Sequence, residues 1–92
     1  MSVQWLFDII EERKGSPKEG SYTSSLFQEG LPKIAQKVGE EGTEVVVAAL
    51  AQDDQRLIEE VADLTYHTLV LLSARGLTPE QVHIELENRH RR

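Results

Sequence analysis

Glu41 and Glu44, then Glu60 and Asp63, are the residues of this chain whose spacing suggests chemistry. In an α-helix, residues three apart are neighbours on one face, so each pair presents two carboxylates together. Between the pairs lie the uncharged run Val45-Val46-Val47-Ala48-Ala49-Leu50-Ala51 and a turn at Gln52-Asp53-Asp54. In an antiparallel helical hairpin, residues at one level have numbers with a constant sum. Glu44 with Glu60 and Glu41 with Asp63 share such a sum, centred on Gln52. The four acids are therefore expected to face one another across the hairpin.

Asp63 is the only formal charge between Val61 and Leu72, and Glu44 adjoins three valines. Both are expected to be buried, and a buried carboxylate requires a basic partner or a metal ion. Lys37, one turn before Glu41, is placed for an i,i+4 ion pair, but within a turn of Asp63 the only basic residue is His67. One lysine does not balance four acids, so divalent cation binding is expected ahead of a purely structural ion-pair network. An all-carboxylate ligand set favours Mg²⁺, with Mn²⁺ as a substitute, over Zn²⁺ or copper. Di-iron bundles use Glu-x-x-His, whereas this chain has Glu60-x-x-Asp63. A Mg²⁺ held by a few carboxylates keeps positions for water and substrate phosphates, which points to metal-assisted phosphate chemistry. The bland reading, acids on a solvated face, is accepted for Glu11, Glu12, Glu19, Glu29, Glu85 and Glu87.

The elements that must position these groups read as all-α, with four to five helices. Val3, Leu6, Phe7 and Ile10 have the spacing of an amphipathic helix from Ser2 to about Arg13, with Ser2 as its cap. Lys14–Ser21, with two glycines and a proline, reads as a loop. Thr23, Ser24 or Ser25 then caps a short helical turn through Leu26-Phe27 that stops at Gly30. The hairpin follows, at about 32–51 and 54–75. Pro32 opens its first helix, which has Ile34, Val38, Val45 and Ala49 as an inward stripe. Gly39 and Gly42 lie inside that helix at roughly 1 kcal/mol each relative to alanine, so either the helix is locally weak or something approaches its backbone. Asp53 or Asp54 caps the second helix, whose apolar run ends at Arg75-Gly76. Thr78-Pro79-Glu80-Gln81 is a capping box for a last helix reaching Asn88.

A chain of 92 residues reads as one domain, 1–92, and a domain of this size buries only about 60% of its unfolded surface. It has no cysteine to staple it, and the second hairpin helix is apolar on most sides. A homodimer with a four-helix-bundle-like core is therefore expected. The net charge of -6 opposes non-specific nucleic-acid binding. No apolar run approaches the roughly 20 residues needed to span a bilayer. With no signal-peptide pattern at the N-terminus, the expected location is cytoplasmic.

The paired acids Glu41-x-x-Glu44 and Glu60-x-x-Asp63 resemble the metal-binding signature of the all-α, MazG-like nucleotide pyrophosphohydrolases. Within that superfamily, Ser21-Tyr22-Thr23, Lys37-Val38-Gly39-Glu40-Glu41, Glu44-Val45-Val46 and Glu60-Val61-Ala62-Asp63-Leu64-x-Tyr66-His67 look like the phosphoribosyl-ATP pyrophosphohydrolase family. Gly42-Thr43 departs from that pattern, in which alanine more often follows the two glutamates. The resemblance implies Mg²⁺-dependent hydrolysis of phosphoribosyl-ATP to phosphoribosyl-AMP and pyrophosphate in histidine biosynthesis, by a form not fused to a cyclohydrolase. It implies Glu41, Glu44, Glu60 and Asp63 as metal ligands, Glu40 as a helper for the attacking water and Lys37 as a neutraliser of phosphate charge. Tyr22, Thr23, Arg89 and His90 become candidates for the phosphoribosyl or adenine end, while His67 is expected to be a polar core residue. Two rival readings are a house-cleaning nucleoside triphosphate pyrophosphatase of the same superfamily and a non-enzymatic helical dimerisation module.

Overall fold

A computed structural model describes residues 2–91. Five helices follow in order: α1 (Gln4–Gly15), α2 (Tyr22–Glu29), α3 (Leu31–Ala51), α4 (Asp54–Ala74) and α5 (Pro79–His90). No strand occurs among the described residues. The class is all-α, and the α3–α4 hairpin is the principal packing unit.

Helix ends follow local chemistry, and three of them correct the reading from sequence. α1 starts after Val3, with no side-chain cap bond, so Ser2 is not its cap; the Phe7 N–H instead closes the first turn on the Val3 carbonyl at 3.0 Å. α1 also runs on to Gly15, where Arg13 and Lys14 lie in the last turn and complement its carbonyl end. The cap of α2 is Ser21, whose hydroxyl accepts the Ser24 N–H at 3.2 Å. The helix thus begins at Tyr22, and Thr23, Ser24 and Ser25 fall inside its first turn, their hydroxyls bonded elsewhere. Gly30 adopts φ 95°, a conformation that disfavours side chains, and passes the chain directly from α2 into α3 with Pro32 in the first turn.

Between Asp53 and Asp54, the structure selects Asp53 as the cap of α4, its carboxylate accepting the Arg56 N–H at 2.9 Å. At the other end of α4, Leu77 N–H bonds the Leu72 carbonyl and Gly76 N–H that of Ser73. With Gly76 at φ 72°, this is a Schellman stop. Both hydrogen bonds of the capping box at Thr78 and Gln81 form.

The core is assembled at one end of the hairpin. Phe7 and Ile10 from α1, Leu26 from α2, Ile34 from α3 and Leu69 and Val70 from α4 form a single buried cluster. Ile34 is the only member of the expected α3 stripe that is fully buried; Ala48 is buried where Ala49 was expected, and Ala49 is exposed. Towards the Gln52 turn the pair keeps apolar side chains exposed: Leu50 is 84% and Ile58 61% exposed. α5 contributes no buried residue. The radius of gyration, 14.3 Å, exceeds the ~12 Å of a close-packed domain of this length, as expected for an open arrangement. No helix is long and apolar enough to cross a membrane among the described residues.

Candidate functional site

Three of the four expected acids converge. Glu41 on α3 and Glu60 and Asp63 on α4 each offer a carboxylate oxygen within 4.8 Å of the others. One hard cation, with ligand distances of roughly 2.0–2.6 Å, can touch all three after small side-chain adjustments. The donor set, carboxylate oxygen alone, fits Mg²⁺ or Mn²⁺. Glu44 lies outside the triad. It lines, with Lys37, Glu40, Glu41 and Thr43, an open hollow of about 330 Å³ on α3.

Burial differs from expectation. Glu60 is the buried acid, at 6% exposure, whereas Glu44 and Asp63 are exposed. Position along the hairpin does not set this order, because Glu60 lies one turn nearer the open Gln52 end than Asp63; what distinguishes Glu60 is the Arg56 guanidinium that meets it. Gly39 and Gly42 sit in an unbroken helix, and a Cβ at either would meet nothing within 4 Å. Among the described residues neither glycine is required by a close packing neighbour, and the one side chain that meets their backbone is Thr43, whose hydroxyl donates to the Gly39 carbonyl at 3.2 Å.

Two cations serve the acids. The Lys37 ammonium is 3.5 Å from Glu41 and 3.6 Å from Glu40. Burial alone would depress its pKa; Tyr22, Glu41 and Glu40 outweigh that and hold it above the usual lysine value. The second cation, Arg56, was missed in the sequence count of charges. Its guanidinium bonds Glu59 through one nitrogen and Glu60 through the other, the latter at 2.6 Å. The Glu59 bond, ahead of the attraction of Glu60, raises its pKa further. The signal was present, because Arg56 precedes Glu60 by the four residues of a helical ion pair. Glu40 is fully exposed and accepts a bond from Gln36 at 3.3 Å, which together with Lys37 and Lys33 lowers its pKa.

Behind the acids, α2 is tied to α4 by an aromatic cluster. His67, 5% exposed, has its Nδ1 2.8 Å from the Asp63 carbonyl and its Nε2 3.0 Å from the Tyr22 hydroxyl. A carbonyl can only accept, so Nδ1 carries a proton, and in the neutral ring Nε2 then accepts from the Tyr22 O–H. Thr23 Oγ1 shares a bond with the Tyr66 hydroxyl. The Tyr22 and Tyr66 rings stack at 6.2 Å, and His67 meets both edge-on. Tyr22 is thereby fixed near Lys37 and linked through His67 to the Asp63 backbone. Arg89 and His90 are not drawn in: both are exposed on α5, and Arg89 pairs with Glu85 at 3.2 Å.

Fold and site together define a small all-α protein whose helical hairpin carries a carboxylate triad flanked by a lysine and an arginine. Comparison with known proteins is more particular. Residues 3–90 match the family model described as phosphoribosyl-ATP pyrophosphohydrolase. A protein of Lacticaseibacillus casei named phosphoribosyl-ATP pyrophosphatase is 56% identical over 88 residues, which cover 96% of this chain and 80% of that protein. Proteins of the same name from Clostridium botulinum, 51% identical over 90 residues, and Sulfurisphaera tokodaii, 52% over 84, cover 98% and 91% of this chain and 82% and 89% of their own. The chain belongs to the phosphoribosyl-ATP pyrophosphohydrolase family.

Proposed function

We infer that this protein hydrolyses phosphoribosyl-ATP between its α- and β-phosphates, releasing phosphoribosyl-AMP and pyrophosphate, the second step of histidine biosynthesis. The observation that carries this reading is the convergence of Glu41, Glu60 and Asp63 in a chain of this family. The three carboxylates, with Glu44 one turn along α3, hold Mg²⁺. When bound, that ion neutralises phosphoryl charge and lowers the pKa of bound water. Lys37 adds a fixed positive charge for the phosphate chain, and Glu40, held ionised, orients the attacking water. Tyr22 and Thr23, fixed by His67 and Tyr66, contact the phosphoribosyl or adenine end; Arg89 and His90, exposed on α5, are not part of that contact in the single chain.

The working form is a cytoplasmic homodimer. Its support is the uncovered apolar surface: Trp5, Leu6, Leu57, Ile58, Val61 and Ala62 line a hollow of about 700 Å³ between α1 and α4. Apolar patches of this kind on a small domain mark interaction surfaces.

Pyrophosphate release from phosphoribosyl-ATP, dCTP, dUTP and ATP, each with and without Mg²⁺, tests the assignment. Phosphoribosyl-ATP is expected to be preferred, with turnover abolished by chelation. Preference for a free nucleotide would favour the house-cleaning reading instead, and activity on none of the four would favour the helical dimerisation module.

A further inference from the structure

Glu60 is the buried member of the triad, and its partner in this structure is a guanidinium. Arg56 lies one turn earlier on α4, its Nη2 2.6 Å from Glu60 Oε1 and its Nη1 bonded to Glu59. The Glu60 side chain is 8% exposed and that of Arg56 47%, so the pair joins a desolvated acid to a cation that reaches it from solvent. A buried carboxylate left without a counter-charge is strongly destabilising, so the pair gives Glu60 a partner when no metal is present. The same arrangement sets a positive charge beside the oxygens a dication would occupy.

We propose that Arg56 is a built-in competitor for the metal site: it compensates Glu60 until an ion arrives and raises the concentration of divalent cation needed to load the triad. This rests on the metal-site reading above and adds to it a residue that is not a ligand. Loading requires the guanidinium either to leave Glu60, retaining Glu59, or to remain at Oε1 and bear the repulsion of the ion. Both routes weaken binding relative to a neutral side chain at position 56.

Titration of the intact protein with Mn²⁺, followed by calorimetry and by the paramagnetic signal of the free ion, tests this without any assay of turnover. Arg56→Gln is expected to bind Mn²⁺ about tenfold more tightly than the unaltered protein. Arg56→Lys, which keeps the charge, stays near the unaltered value. In chelator Arg56→Gln melts at a lower temperature, and Mn²⁺ raises its midpoint further than that of the unaltered protein. Glu59→Gln provides an independent arm: with its second anchor gone, Arg56 commits fully to Glu60, and Mn²⁺ binding weakens by about twofold. Equal or weaker Mn²⁺ binding by Arg56→Gln overturns the proposal, as does tighter binding by Glu59→Gln. Asp63→Asn separates the two levels. Loss of Mn²⁺ binding in Asp63→Asn with no change in Arg56→Gln removes Arg56 alone; Mn²⁺ binding unmoved by Asp63→Asn removes the metal site and the competitor with it.

Discussion

The two ends of the α3–α4 hairpin are made of the same kinds of residue and put to different uses. At the end remote from the Gln52 turn, Ile34 and Val70 are enclosed by Phe7 and Ile10 of α1 and Leu26 of α2. At the turn end, Val46, Val47, Leu50, Ile58 and Val61 are exposed. The acid triad lies between the two ends, and within it Glu60 is buried and Asp63 exposed, although Asp63 is one turn nearer the covered end. A site at such a boundary draws rigidity from one side and access from the other. The buried His67 illustrates the coupling, since it binds the Asp63 carbonyl on one side and Tyr22 on the other.

The largest expected effect breaks the covered end. Ile10 is fully buried in the cluster, and truncation to alanine removes its contacts and leaves a cavity. Ile10→Ala is expected to cost about 2–5 kcal/mol of unfolding free energy, read from urea denaturation. A loss below 1 kcal/mol would mean that this end is not the stabilising core.

Asp63→Asn addresses the boundary. The side chain is exposed and the swap nearly isosteric, so the denaturation midpoint is expected to stay put in metal-free buffer. Removing a metal-linked group costs tenfold to a hundredfold even at one remove, so loss of a ligand should lower kcat/KM by at least about a hundredfold. Full activity would dissociate the triad from the chemistry. A further, smaller effect lies in the cap of α2, where Ser21→Ala removes the acceptor of the Ser24 N–H and is expected to cost about 1 kcal/mol. Because that turn also carries Tyr22, KM should rise more than kcat falls.

How much of this was legible from sequence follows the same division. Periodicity, the Pro32 and Thr78 starts and the Gly30 and Gly76 stops are local signals, and each helix falls where those signals placed it to within about a turn at its ends. The level matching of Glu41 with Asp63 also survives, because a tight turn leaves a hairpin little freedom of register. Burial did not follow. Asp63 was expected inside because its neighbours are apolar, but those neighbours are themselves uncovered in the single chain, and enclosure depends on where α1 and α2 pack. Arg56 is remote from Asp63, the acid whose apolar neighbours suggest burial, and one turn from Glu60, the acid that is buried. The α2 cap lies a few residues from its expected place because Ser21, Thr23, Ser24 and Ser25 offer equivalent caps, and only the hydrogen bonds distinguish them.

The smallest expected effect sharpens the comparison most, because it repeats the Ile10 experiment at the open end. Ile58 is 61% exposed on the rim of the apolar hollow with Trp5 and Val61. In the isolated chain, Ile58→Ala gives up little burial and gains slightly in helix propensity, so at high dilution the unfolding free energy should change by no more than about 0.5 kcal/mol. Association reverses the sign. If a second copy covers this face, the melting temperature of the unaltered protein rises with concentration, and the truncation reduces that rise. Thermal scans over a hundredfold range of concentration, paired with sedimentation, read both quantities at once. A midpoint independent of concentration in the unaltered protein would leave the open end uncovered in solution, and the two ends would then differ in purpose as well as in packing.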